Sequence, residues 1–350
     1  MAKRSRTEDA PQTDRIEGFA HPRETGHLVG QDKALARVSR AIRSGRPPQA
    51  WLLCGPPGVG KASLAYRMAR YLLAYGASAA GPEDLAVPAS DPAAVQVAAA
   101  SHPGLLVLKR GLNPETGKRM NVLSVNEIRR LAGFFGMTSG AGGWRVAIVD
   151  TADDMNEAAA NALLKMLEEP PSRAMVLVLS HVPGRLLPTI RSRCQTVALR
   201  PLETGSVETE LRRLLPDVPA SERASLARLS GGSIGMALQL SDGEGVALAR
   251  EADRLLDNAA VPDIAAVLAL GDKIARLTDG LATFGMFLVG ALTERIRSRA
   301  GTSSLDLWVE CRNRLESSFR RSSALYLEPR QTLWSAARNL AATSRRAGAL

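Results

Sequence analysis

Residues 55–61 read Gly-Pro-Pro-Gly-Val-Gly-Lys, and this run constrains the chain more than any other feature in it. Glycines in such a loop let backbone N–H groups close around phosphate oxygens, and the lysine meets the outer phosphates. A Ser or Thr directly after the lysine holds Mg²⁺. Gly55, Gly58, Gly60 and Lys61 are in place, but the next residue is Ala62, which has no hydroxyl for the metal. Ser63 carries one a position late, about 100° further round a helix, and is a poor substitute. Ala50–Cys54 before the loop is an apolar run suited to a buried strand, and Ser63–Leu73 after it has helical periodicity. Strand, loop and helix in that order aim a helix N-terminus at an anion. The alternative is a glycine-rich turn that binds nothing.

The rest of the first two hundred residues repeats the alternation. Leu105–Leu108, Trp144–Asp150 and Met175–Leu179 read as buried strands, while 34–42, 125–135 and 156–168 read as helices. Ala77–Ser101 and Gly111–Lys118 are rich in turn residues and read as loops. Alternating strands and helices predict an α/β fold built on a parallel sheet covered on both faces. Past Arg200 the strand signal ends. Short helices over 207–215 and 221–230, a Gly231-Gly232-Ser233 break, and long apolar-periodic stretches from Val246 onward follow. Trp308, Cys311, Leu315 and Phe319 make a helical stripe expected in a core. The reading is thus a disordered start over 1–15, an α/β domain over 16–202, a helical lid over 203–245 and an all-α C-terminal domain over 246–350.

With 350 residues, 45% of them apolar, the chain can bury more than one core. It has neither a secretory signal nor an apolar span long enough for a membrane, so a cytoplasmic protein without membrane contact is expected. Cys54, Cys194 and Cys311 are far apart and unpaired in C-x-x-C form, which argues against zinc and against a disulfide framework. The net charge is +10, and residues 291–350 hold eleven Arg and no Lys against five carboxylates. Such an excess suits a nucleic-acid or acidic-protein partner, or is an ordinary solvated face.

Val146–Asp150 has the form of an apolar strand ending in a carboxylate that reaches a metal-bound water. Thr151 follows where an active site of this kind has a glutamate, and a Thr hydroxyl is no base near neutral pH. An equally open reading makes Asp150 a cap of the following turn. His181, after Ser180 at a strand end, stands where a polar residue would reach the γ-phosphate, although a satisfied structural histidine is the commoner case. Lys109, Arg110, Lys118 and Arg119 flank the second loop, where solvation is the default.

Leu163-Leu164-Lys165-Met166-Leu167-Glu168-Glu169-Pro170-Pro171 and Leu186-Leu187-Pro188-Thr189-Ile190-Arg191-Ser192-Arg193-Cys194 carry a family resemblance. The S-R-C triplet and the E-E-P-P run resemble those of clamp-loader subunits of the P-loop AAA+ class. With the damaged loop, the missing glutamate and no zinc cysteines, the match is to the delta-prime family of the bacterial DNA polymerase III clamp loader. It extends by motifs from about Leu28 to Leu240, and beyond that it rests on helical architecture. The resemblance implies a small helical lid and a C-terminal collar domain that joins a hetero-pentamer. The implied partners are the clamp-loader ATPase subunits and the clamp-opening subunit, with the sliding clamp and polymerase core reached indirectly and primer-template DNA through the complex. In the family the Arg of S-R-C reaches a neighbouring subunit's ATP. That role falls on Arg193, with Ser192 beside it in the motif and Arg191 in support. Gly232–Leu238 resembles the sensor-2 segment, with Gly235 and Met236 where a motor has an arginine.

The resemblance implies ATP bound at Gly55, Gly58, Gly60, Lys61, Ala62, Ser63 and Asp150 without efficient hydrolysis, and no zinc. The chain would be part of a polymerase holoenzyme with weak or absent ATPase of its own and no polymerase site. Two other readings stay open at this stage: an ATP-hydrolysing clamp-loader or helicase-loader motor, and a stand-alone basic DNA-binding protein.

Overall fold

The computed structural model describes residues 16–350 apart from 17, 112–119, 121, 137–142, 242–243, 278–279, 300–304, 326 and 349–350. The N-terminal segment expected to be disordered, most of the second turn-rich loop, and Lys118 and Arg119 lie outside the described residues. Two compact units form: residues 1–216 with 232–236, and residues 217–231 with 237–350.

The first unit runs α1 (Asp32–Arg43), β1 (Ala50–Cys54), α2 (Lys61–Tyr75), α3 (Pro92–Ala98), β2 (Leu105–Leu108), α4 (Val125–Gly136), β3 (Arg145–Val149), α5 (Glu157–Glu168), β4 (Ala174–Ser180), α6 (Pro188–Arg193), β5 (Gln195–Ala198) and α7 (Thr204–Leu214). The five strands form one sheet in the order β2-β3-β4-β1-β5, parallel throughout. Side chains of a strand alternate between faces, and both faces here are apolar. Trp51, Leu53, Val146, Ile148, Met175 and Leu177 pack into one core with α1 and α2. Ala50, Leu52, Ala147, Val149, Val176 and Val178 pack into a second core with α4, α5 and α6.

Two elements depart from the sequence reading. The 77–101 segment, expected as a loop, holds α3, capped by the Asp91 carboxylate on Ala93 N and started by Pro92. β5 was not foreseen. Only Val197 of its four residues is buried, so this edge strand lacks the apolar run that marks the central ones.

The second unit contains α8 (Ala220–Leu229), most of α9 (Ile234–Leu240), α10 (Glu244–Asp257), α11 (Ile264–Ala275), α12 (Gly280–Ser298), α13 (Leu305–Ala324) and α14 (Pro329–Ala347). Its core joins Leu256, Ile274, Phe284, Leu288, Leu315 and Leu340, all buried. The expected stripe of Trp308, Cys311, Leu315 and Phe319 faces inward, with the Phe284 and Phe319 rings 6.1 Å apart. Among the described residues no helix is long and apolar enough to cross a membrane.

Candidate functional site

The loop from Gly55 to Gly60 joins the carboxyl end of β1 to α2, so the sequence order becomes the expected geometry. Gly60 is the N-cap of α2, and the first backbone bond of the helix is Leu64 N to Gly60 O at 3.0 Å. The N–H groups of Lys61, Ala62 and Ser63 therefore have no partner within the helix and point out of its positive end. Gly58 has φ +70°, which other residues rarely adopt, and an added Cβ there would collide with Ser233 Oγ.

The loop carbonyls are all engaged. Lys61 folds back so that Nζ donates to Gly55 O and Pro56 O, each at 2.7 Å. Ser233 Oγ donates to Pro57 O at 3.0 Å, and Gly235 N donates to Gly58 O at 3.1 Å. Gln31 donates from Nε2 to Val59 O at 3.2 Å and to Arg200 O at 2.8 Å. Burial lowers the Lys61 ammonium to a pKa of about 8, against the opposing pull of Asp150 and Asp153. The turn at residues 232–235 thus lies against the loop through Ser233 and Gly235.

Around β3 and β4 the carboxylates take separate roles. Asp150 follows β3, with its backbone N–H on Leu108 O at 2.8 Å and Thr151 Oγ1 donating to its Oδ1 at 3.2 Å. Asp153 accepts from Ser180 Oγ at 2.8 Å, His181 N at 2.6 Å and Val182 N at 3.0 Å, so it ties the turn after β3 to the end of β4. His181 is held near pKa 4, first by burial and then by the Lys61 charge, and is neutral at pH 7. Arg110 pairs with Asp154 at 3.1 Å.

A nucleotide would need three things from this site. The backbone fits the first, a cradle of N–H groups for bound phosphates. The second, a metal ligand after the lysine, is lacking because Ala62 has no donor atom. The third, a base for water, is lacking because Thr151 cannot serve and Asp153 is already bonded three times. Among the described residues no group of three or more His, Cys, Asp or Glu is placed to hold a metal.

Arg193 lies elsewhere. It ends α6, directly before Cys194 and β5, and β5 pairs with β1 in the register Trp51 to Gln195 and Cys54 to Ala198. The arginine is therefore at the amino end of the strands and the phosphate loop at the carboxyl end. At about 3.3 Å per residue the two are separated along the sheet by roughly 15–20 Å, well beyond the reach of an arginine side chain. Its Nη2 pairs with Glu168 Oε1 at 2.8 Å and its Nη1 donates to Thr189 O at 3.2 Å, with the arginine side chain 36% and the glutamate 50% exposed. The two motifs that carried the resemblance thus meet through one ion pair. Ser192 Oγ donates to Thr189 O at 3.1 Å, a bond inside its own helix, and Arg191 is exposed. Cys194 is buried, with its thiol raised to about 11 by that burial.

The structure puts the loop, Asp150 and His181 at the carboxyl ends of the strands and Arg193 at the amino end, while Gln31 and the tie made by Asp153 were missed by sequence reasoning. Gln31 left no local signal in the sequence: its partners Val59 O and Arg200 O lie 28 and 169 residues away.

A parallel five-stranded sheet in the order β2-β3-β4-β1-β5, with a phosphate loop after β1 and helices on both faces, is the P-loop α/β fold of the AAA+ class, here with Ala62 directly after the loop lysine. A model of the family described as "DNA polymerase III, delta subunit" matches residues 30–203. The delta' subunit of DNA polymerase III from Pseudomonas aeruginosa is 42% identical over 199 residues, 56% of each chain. The Escherichia coli delta' subunit is 36% identical over 210 residues, 59% of each chain. The gamma/tau subunit from Mycobacterium tuberculosis is 31% identical over 201 residues, 55% of this chain and 31% of the relative. Residues 30–203, just under half of the chain, are thus similar to the delta and delta' subunits of DNA polymerase III. The chain spans less than three fifths of the length of those delta' relatives. Likeness to solved structures is looser. A gamma-subunit-related protein of Thermotoga maritima has TM-score 0.40 and 17% identity, covering 90% of this chain and all of that one. A RuvB structure from the same organism has TM-score 0.45 and 15% identity, covering 78% of this chain and 91% of that one.

Proposed function

We propose that this chain is a non-motor subunit of a DNA polymerase III clamp loader that lends Arg193 to the ATP of a neighbouring subunit. The observation that carries the reading is the position of Arg193, half-exposed and at the opposite end of the sheet from its own phosphate loop. An arginine so placed has no use for its own nucleotide. Arg193 is a permanent cation with planar donors that match the charge spread over phosphate oxygens during transfer. An exposed ion pair such as Arg193–Glu168 is worth about 0.2–1 kcal/mol, so releasing the guanidinium to a phosphate costs little. Arginines supplied in trans to other nucleotide hydrolases contribute about 10³–10⁵ in rate.

The chain's own loop supports binding of phosphate without turnover, because the backbone cradle is intact while Ala62, Thr151, Gly235 and Met236 replace the groups that would handle metal, water and γ-phosphate. The second unit, with its arginine-rich last two helices, would be the part that joins the ring of subunits and the clamp-opening partner, with clamp and primed DNA reached through that assembly. The test is clamp- and DNA-stimulated ATP turnover in a loader reassembled with wild-type chain or Arg193→Ala, with assembly followed by size-exclusion chromatography. A complex that forms normally and turns over ATP far more slowly supports the proposal. Unchanged turnover in an intact complex would reduce Arg193 to a structural residue.

A further inference from the structure

The helical unit holds a cleft to which the clamp-loader reading assigns no ligand. It lies between the last half of α13 and the first half of α14 and encloses about 570 Å³, within the range of binding clefts that close around part of a ligand. Ser317, Arg321 and Leu325 follow each other at four-residue spacing and form one rim. Ser335 stands on the opposite rim. Ser322 and Thr332, each 5% exposed, make the floor, and Leu327 closes the end where the two helices are joined.

Two features of this cleft ask for a ligand. The first is charge. Arg312 and Arg314, earlier on α13, are paired with Glu316 and Glu310, whereas Arg320 and Arg321 form no ion pair among the described residues. The second is apolar exposure beside that charge: Leu325 is 58% and Leu327 46% exposed. A cation ringed by serine and threonine hydroxyls suits a carboxylate, and the leucines suit an apolar side chain next to it. Among the described residues no aromatic ring lines the cleft for a base to stack on, and a single arginine cannot follow a phosphate backbone.

We propose that the cleft between α13 and α14 docks an extended acidic segment of a partner protein. One carboxylate of that segment meets Arg321 and the hydroxyls, and a neighbouring apolar side chain rests on Leu325 and Leu327. The excess of arginine over carboxylate in residues 291–350 draws such a segment in and disfavours a basic one.

The test is fluorescence anisotropy on the full chain with a labelled eight-residue peptide of alternating Asp and Leu. The same peptide with Lys for Asp, a single-stranded oligothymidylate and inorganic phosphate serve as comparators. Saturable binding of the acidic peptide is expected, weakened about tenfold or more by Arg321→Glu, as loss of a charge-assisted hydrogen bond implies. Ser335→Trp, which fills the cleft from an exposed position, and Leu325→Asp each weaken it as well, with circular dichroism showing all three variants folded. Binding that survives all three variants, or equal binding of the Lys peptide, overturns the proposal. So does displacement of the peptide by the oligonucleotide at lower concentration, or by phosphate at equal concentration. Because the readout is binding by the isolated chain, failure here leaves the role of Arg193 untouched, and failure of that role leaves this result standing.

Discussion

Asp153 separates the account from its nearest rival most sharply at the level of a single side chain. In a working motor, a carboxylate after this strand is spent on catalysis, and removing it abolishes turnover with little effect on the fold. Here the Asp153 carboxylate accepts three hydrogen bonds, from Ser180 Oγ, His181 N and Val182 N, and so fastens the turn after β3 to β4. A hydrogen bond to a charged group contributes about 1.5–3 kcal/mol, and a buried donor left without its partner costs about 1–3 kcal/mol. Ser180 is fully buried and loses its partner outright, whereas Val182 is exposed and its N–H can turn to water. The effects are not additive, so Asp153→Ala should destabilise the first unit by about 3–4 kcal/mol. Asp153→Asn keeps an acceptor for Ser180 and Val182 but sets an amide N–H against His181 N, and should fall between. Glu168→Ala, which breaks an exposed pair, should stay within about 1 kcal/mol of wild type. Urea unfolding followed by circular dichroism at pH 7 measures all three. An Asp153→Ala variant within about 1 kcal/mol of wild type would refute the reasoning and leave Asp153 without the structural role assigned to it.

Three further outcomes are expected. Installing a hydroxyl and a carboxylate, Ala62→Thr with Thr151→Glu, should leave the isolated chain at its wild-type background in a phosphate-release assay, because Ser233 and Gly235 still lie on the loop; sustained turnover would show the site to be open. His181 has a folded pKa near 4 against 6.5 unfolded. The unfolded chain therefore binds the proton first as pH falls, and stability present above pH 6.5 is lost through pH 4, by up to about 3 kcal/mol; His181→Asn should flatten that part of the stability–pH curve, and an unchanged curve would remove His181 as its source. Cys54, Cys194 and Cys311 are all buried, so native protein at pH 8 should resist iodoacetamide and label fully in urea; rapid native labelling of any of them would show that its surroundings open.

How much of this was legible in the sequence depended on how local each signal is. The phosphate loop is a contiguous pattern flanked by an apolar strand and a periodic helix, so it could be placed to the residue. β1, β3 and β4 are apolar on both faces and read as continuous runs, whereas β5 at the sheet edge reads as Gln195-Thr196-Val197-Ala198 and gives no such run. α3 is seven residues of mostly alanine and valine, shorter than periodicity can resolve, and only Asp91 and Pro92 mark its start. The pairing of Arg193 with Glu168 was written in two motifs that could be recognised but not joined, since 25 residues separate them. Gln31 reaches Arg200 across 169 residues, a contact that no local pattern encodes. The separation of Arg193 from its own loop likewise comes from strand register, which appears only once β5 is paired with β1.

The central claim is that this chain gives an arginine and does not run on its own nucleotide. The most direct test is a pair of loaders reassembled with Arg193→Ala or Lys61→Ala, each assayed for clamp- and DNA-stimulated ATP turnover at the neighbouring site. The account predicts that Arg193→Ala slows that site by about 10³, while Lys61→Ala leaves it near wild type. A collapse with Lys61→Ala and normal turnover with Arg193→Ala would contradict it and make this chain a motor.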